Sequence, residues 1–98
     1  MTFLVQAFDY PAPQGPERRQ ACRPEHLKLG EKLYAEGKWL WAAAILNEAG
    51  DPIGTIIICD FPSKEALQQE WLNREPYLVN KVWEKVEIHP IKPAPFMK

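Results

Sequence analysis

Apolar and polar positions change rhythm six times along the chain, and each change predicts an element. Thr2 to Phe8 (TFLVQAF) is a short run rich in strand formers and reads as a first strand. Asp9 to Pro16 carries three prolines and a glycine, which predicts a loop. A helical segment follows from about Glu17 to Glu36. Pro24 suits a first helical position, so the main helix is expected from there, with a looser turn before it and Gly37 as its C-terminal cap. Trp39 to Leu46 (WLWAAAIL) is too short for a helix between Gly37 and the turn-forming NEAGDP segment, so it predicts a strand. Ile53 to Cys59 has four isoleucines and a threonine and is the clearest strand. Ser63 can cap a second helix to about Asn73, with Ala66, Leu67 and Trp71 on one face, before Glu75-Pro76-Tyr77 interrupts it. In Val82 to Ile91, Val82, Val86 and Ile88 alternate with Lys85, Glu87 and His89, a last strand.

The order β-α-β-β-α-β predicts an α+β, ferredoxin-like domain over residues 1–92, with residues 93–98 as a tail. Its four-stranded antiparallel sheet would carry both helices on one face. Strict alternation puts Trp39, Trp41, Ala43 and Ile45 on one side of the second strand and Leu40, Ala42, Ala44 and Leu46 on the other. Both sets are apolar, whereas a sheet covered on one side reads apolar-in, polar-out. The second face therefore calls for a cover, and a second copy of the chain is the expected one.

Composition narrows the functional classes. The chain has 12 basic and 13 acidic side chains and a net charge of −1. Phosphate neutralisation needs a surplus of Lys and Arg, and the IGTIIIC strand lacks the aromatic pattern of RNA-binding ferredoxin-like sheets, so nucleic acid is excluded as a partner. A polybasic membrane patch is also missing, and no apolar run approaches the roughly 20 residues of a membrane span. Cys22 and Cys59 form no CxxC pair, and Met1 leads straight into a strand, so reduced thiols in a cytoplasmic protein are expected.

The candidate chemistry centres on His26. On a helical projection Cys22, His26, Leu27, Leu29, Leu33 and Tyr34 share an arc, with Arg23 beside it near the helix start and Glu25, Lys28, Glu31 and Lys32 opposite. Leu or Met would fill such a stripe without a polar penalty. A histidine there either satisfies a buried hydrogen bond or, with a carboxylate partner, moves protons. Cys22-x3-His26 is half of a zinc ligand set, but no second pair accompanies it, so no metal is expected. His89 reads as an exposed strand residue, Asp9 as a loop-stabilising one, and the Trp39/Trp41 pair as core or interface. Phosphate loops, nucleophile elbows and HExxH motifs are missing, and no cofactor is expected.

Several short motifs, in order, resemble one family. Arg23-Pro24-Glu25-His26-Leu27 is similar to the RPxHL segment of YCII-related proteins, and Gly37 stands at its place after the first helix. Gly54-Thr55 lies where that family has Gly-Ser, Glu75-Pro76-Tyr77 where it has Asp-Pro-Tyr, and Val86-Glu87-Ile88-His89-Pro90 at its terminal strand. The resemblance covers about residues 3–92. It implies a dimeric α+β barrel type of fold, two sheets stacked face to face, and a pocket with a His–carboxylate dyad: His26 and, in the aspartate's place, Glu75. Thr55 takes the place of the family serine as a substrate-binding residue; apart from the resemblance, Arg23 either binds an anionic ligand or pairs with a carboxylate, and Tyr77 either offers its hydroxyl to the pocket or packs at a helix end. A few such relatives are dehydrochlorinase-like enzymes acting on chlorinated hydroxyquinols. The expected function is therefore acid–base chemistry, of the elimination or proton-shuffling kind, on a small hydroxylated or halogenated aromatic. The alternative is a non-catalytic dimer that binds a small ligand or serves as an interaction module. Three departures bear on the pocket: Glu75 is one methylene longer than Asp, Thr55 adds a β-branch to Ser, and Ala42-Ala43-Ala44 replaces a Gly-containing stretch and is expected to narrow it.

Overall fold

The computed structural model describes residues 1–97; Lys98, the end of the predicted tail, lies outside them. The chain runs β1 (Thr2–Asp9), α1 (Gln14–Ala35), β2 (Trp39–Leu46), β3 (Pro52–Asp60), α2 (Lys64–Glu70), a 3-10 turn (Leu72–Arg74), α3 (Pro76–Val79) and β4 (Trp83–Ile91). All strand pairs are antiparallel in the order β2-β3-β1-β4. This is the ferredoxin-like α+β arrangement that the element order predicted.

The core lies between the helices and one face of the sheet. Phe3, Val5 and Ala7 of β1 sit opposite Cys59, Ile57 and Thr55 of β3, and all six are buried. Above them pack Leu33 of α1, Leu67 of α2, and Trp71 and Tyr77 from the segments between α2 and β4. Ser63 caps α2 by accepting a hydrogen bond from the Ala66 N–H at 3.0 Å, and Gly37, at φ +77°, turns the chain out of α1.

α1 corrects two expectations. It starts at Gln14 rather than near Pro24, and Pro24 lies within it. Pro24 lacks the N–H that would bond the Gln20 carbonyl, but both residues face solvent, where water replaces that bond. The buried stripe is Gly15, Arg19, Cys22, His26, Gly30 and Leu33, whereas Leu27 and Tyr34, placed on the buried arc by projection, are exposed, as is Arg23. Gly30 shows why the helix tilts this way: a Cβ there would stand 2.4 Å from the Trp39 ring, so its absence lets α1 rest directly on β2.

β2 also departs from strict alternation. Trp39 pairs with Cys59 and Trp41 with Ile58, so one extra residue, Leu40, bulges between them. Trp39 therefore joins Ala42 and Ala44 on the helix side, while Trp41, Ala43 and Ile45 lie on the other face. That other face carries Leu4, Gln6, Phe8, Trp41, Ala43, Ile45, Ile56 and Ile58, with Lys85, Glu87 and His89 along the β4 edge. No helix covers it, and Trp41 is 56% exposed.

Candidate functional site

Two acid–base pairs lie beneath α1, seven residues apart. His26 Nδ1 is 2.8 Å from Glu75 Oε2. Glu75 is wholly buried, at 0% exposure, and caps α3: its Oε2 also accepts from the Tyr77 backbone N–H at 2.8 Å, and its Oε1 accepts from the Trp71 indole N–H at 3.0 Å. Both oxygens thus face N–H donors, which suits a carboxylate and assigns the Nδ1 proton to the imidazole. Nε2 of the same ring has no partner among the described residues and is not sealed from solvent, although His26 as a whole is only 7% exposed. The ring stacks on Tyr77, with centroids 3.8 Å apart at 8°, and meets Trp39 and Trp83 at 5.8 and 6.4 Å. A carboxylate that orients one nitrogen while the other stays free is the arrangement of a general base.

The second pair was not foreseen. Arg19 Nε and Nη2 donate to the two Asp9 carboxylate oxygens at 2.7 and 3.0 Å; Nη2 also reaches the Gly54 carbonyl and Thr55 Oγ1, each at 3.0 Å. Burial works against this charge, but the Asp9 hydrogen bond and charge outweigh it and hold the guanidinium above its ordinary pKa. Asp9, read from the sequence as a loop stabiliser, is the buried counter-ion of α1. The signal was available: Arg19 lies seven residues before His26 on the same stripe, but it is visible only once the helix is started at Gln14.

Thr55 Oγ1 accepts from Arg19 and, at 3.3 Å, from the Trp83 indole N–H. Tyr77 joins the two pairs, since the Arg19 guanidinium carbon lies 4.7 Å from the centre of the ring that stacks on His26. Burial pushes the Tyr77 phenol pKa up, despite the nearby Arg19 charge. Cys22 donates its Sγ–H to the Arg18 carbonyl at 3.1 Å, and burial, then the Glu75 charge, raise its thiol. Cys59 is pushed up to about 12 by burial. Neither thiol faces the imidazole as a co-ligand, and no three His, Cys, Asp or Glu side chains converge among the described residues.

The recesses are displaced from the imidazole. A cleft of about 730 Å³ opens between α1 and the β2–β3 hairpin, with Arg19, Arg23, Ala44, Asn47 and Ile53 among its walls. A shallower groove of about 550 Å³ follows α1 and β2 further along, past Leu27, Gly30, Tyr34, Trp41 and Ala42. His26 lines neither, which corrects the expectation of a pocket centred on it. Of the predicted site residues, His26, Glu75, Thr55 and Tyr77 come together in one buried cluster. Arg23 stands apart, at the cleft wall, and it is Arg19 that occupies the position beside Thr55.

Comparison with known proteins places the chain in a family and its fold among solved structures. The YCII-related domain matches residues 1–92. Protein YciI of Escherichia coli O6:H1 and that of Shigella flexneri are each 34% identical over 82 residues, covering 78% of this chain and 83% of theirs. Among solved structures, the 5-chloro-2-hydroxyhydroquinone dehydrochlorinase of Burkholderia phenoliruptrix, in complex with 2,5-dihydroxybenzoquinone, superposes with a TM-score of 0.83 at 19% identity and 96% coverage of both chains. Muconolactone isomerase superposes at 0.67 and 22% identity, covering 99% of this chain and 94% of its own. The last two share the fold. By sequence, this chain belongs to the YCII-related domain family.

Proposed function

We propose that the protein is an acid–base enzyme in which His26 moves a proton through Nε2 while Glu75 fixes the ring and balances the imidazolium. One observation carries this reading: the 2.8 Å Nδ1–Glu75 bond, with both carboxylate oxygens already held by the Trp71 and Tyr77 N–H groups and Nε2 left free. The reaction class is removal of a proton next to an activated carbonyl or enol, with either halide loss or return of the proton elsewhere. The names of the two fold neighbours, a dehydrochlorinase and an isomerase, fit that class. Thr55 keeps a hydroxyl proton to donate, and Tyr77 and Arg19 position the imidazole.

The working form would be a homodimer closed over the uncovered sheet face, where Leu4, Phe8, Trp41, Ile56 and Ile58 gather, in the reducing cytoplasm. Among the described residues no helix is long and apolar enough to cross a membrane. A non-catalytic ligand-binding dimer is the second reading, favoured by the cleft and groove both lying off the imidazole. The test is halide release and deuterium uptake from hydroxylated and halogenated aromatics and enol-lactones, wild type against His26→Ala. A loss of about a hundredfold or more is expected. Turnover that survives the substitution unchanged would remove His26 from the chemistry.

A further inference from the structure

The cleft and the groove follow one another along α1 and β2, end to end as a trough. On its helix side Arg23 lines the cleft and Leu27, one turn further, lines the groove; on its strand side Ala44 lines the cleft and Ala42 the groove. Residues four apart on a helix and two apart on a strand are separated by roughly 6 to 7 Å, so the two recesses abut. The floor is open because Ala42 and Ala44 point to the helix side and yet remain exposed. His26 follows Arg23 by three residues and precedes Gly30 by four, so its place on α1 falls between the residues that line cleft and groove, with the imidazole buried beneath the helix.

The two ends differ in chemistry. At the cleft end stand Arg19, Gln20, Arg23 and Asn47. Of the two acids there, Asp9 is fully engaged by Arg19, and Asp51 is an exposed hairpin residue that makes no ion pair with Arg23 among the described residues, so Arg23 keeps its charge free. Arg19 Nη1 makes no hydrogen bond among the described residues and is not sealed from solvent, so the guanidinium keeps a donor edge. A planar carboxylate is the acceptor that matches such an edge. At the groove end Leu27, Tyr34, Leu40 and Trp41 are all exposed large apolar side chains. The cleft alone, about 730 Å³, is of the size that holds ligands well beyond a single aromatic ring.

We infer that the trough binds an extended amphiphilic carboxylic acid, its head at Arg19 and Arg23 and its hydrocarbon body lying over Ala44 and Ala42 toward Leu27 and Trp41. As a statement about substrate this rests on the acid–base reading of His26; as a statement about binding it does not. The full-length chain would be titrated with hexanoate, octanoate, decanoate and 1-decanol, followed by calorimetry and by the intrinsic fluorescence of its four tryptophans. Each added pair of methylenes should tighten binding about tenfold, and decanoate should bind at least about tenfold tighter than 1-decanol. Arg23→Gln should remove most of the acid's advantage and leave 1-decanol unaffected. Ala44→Phe, at an exposed strand position that accepts an aromatic residue, should fill the trough and weaken both ligands about tenfold or more. Equal binding of acid and alcohol, no dependence on chain length, or binding indifferent to Ala44→Phe would each overturn the inference. Such a failure beside His26-dependent turnover of one-ring compounds would leave the acid–base reading standing. Decanoate binding as described, with turnover indifferent to His26→Ala, would do the reverse.

Discussion

Arg19–Asp9 and His26–Glu75 are two buried acid–base pairs on one helix, both in contact with Tyr77, and they are built to different ends. In the first, the acid is saturated by a forked guanidinium that also ties down the Gly54 carbonyl and Thr55, at the closing end of the β2–β3 hairpin. Arginine does not deprotonate in proteins, so the guanidinium keeps its charge and pins α1 to the sheet. In the second, the carboxylate holds three N–H groups but the base keeps a nitrogen free. The same elements thus supply a fixed strut and a titratable group, and what separates them is which donor atoms remain unpaired.

The largest effect should come from breaking the strut. Arg19→Met strands the Asp9 carboxylate, whose side chain is 4% exposed, and should cost about 3–5 kcal/mol in urea unfolding. His26→Leu leaves Glu75 with its Trp71 and Tyr77 donors and should cost less, about 1–3 kcal/mol. Equal losses would erase the distinction between the pairs.

A second effect concerns the covering of the sheet. Trp41→Ser should turn a particle of about twice the 11.3 kDa chain mass into a monomer by light scattering, with little effect on either pair; a wild-type monomer would contradict the proposed interface. A smaller effect is pH dependence on the alkaline side. Cys59 and Tyr77 are both held protonated by burial, Cys59 up to about 12. The unfolded chain ionises first, so the stability these groups contribute is complete below about pH 9, the ordinary range of a free thiol, and declines as pH rises toward 12. Consistent with that, neither cysteine should react with a disulfide reagent at pH 8 until the chain is denatured, since both are buried.

Much of this architecture was legible in the residues. Isoleucine-rich β3, the NEAGDP hairpin and the Ser63 cap announce themselves through local chemistry, and the motifs around His26 and Glu75 named two side chains that the fold brings to 2.8 Å. What alternation and projection missed has physical causes. Pro24 suggested a helix start because proline prefers first turns, but on a solvent-facing side it costs little inside one, and the shortened helix hid Arg19. The Leu40 bulge put Trp39 and Trp41 on opposite faces, a shift that side-chain periodicity cannot reveal because the extra residue is defined by its partner strand. Asp9 looked like loop chemistry because its counter-ion lies ten residues away, on an element not yet extended to reach it.

The central claim concerns where one proton sits, and nitrogen-resolved NMR of the imidazole reads that directly. In a His89→Gln variant, the one remaining histidine is His26. In its neutral form the ring should show a slowly exchanging N–H on Nδ1 and a pyridine-like resonance on Nε2, and Glu75→Gln should abolish that preference. A neutral ring protonated on Nε2, or a tautomer balance like that of a free imidazole, would contradict the account.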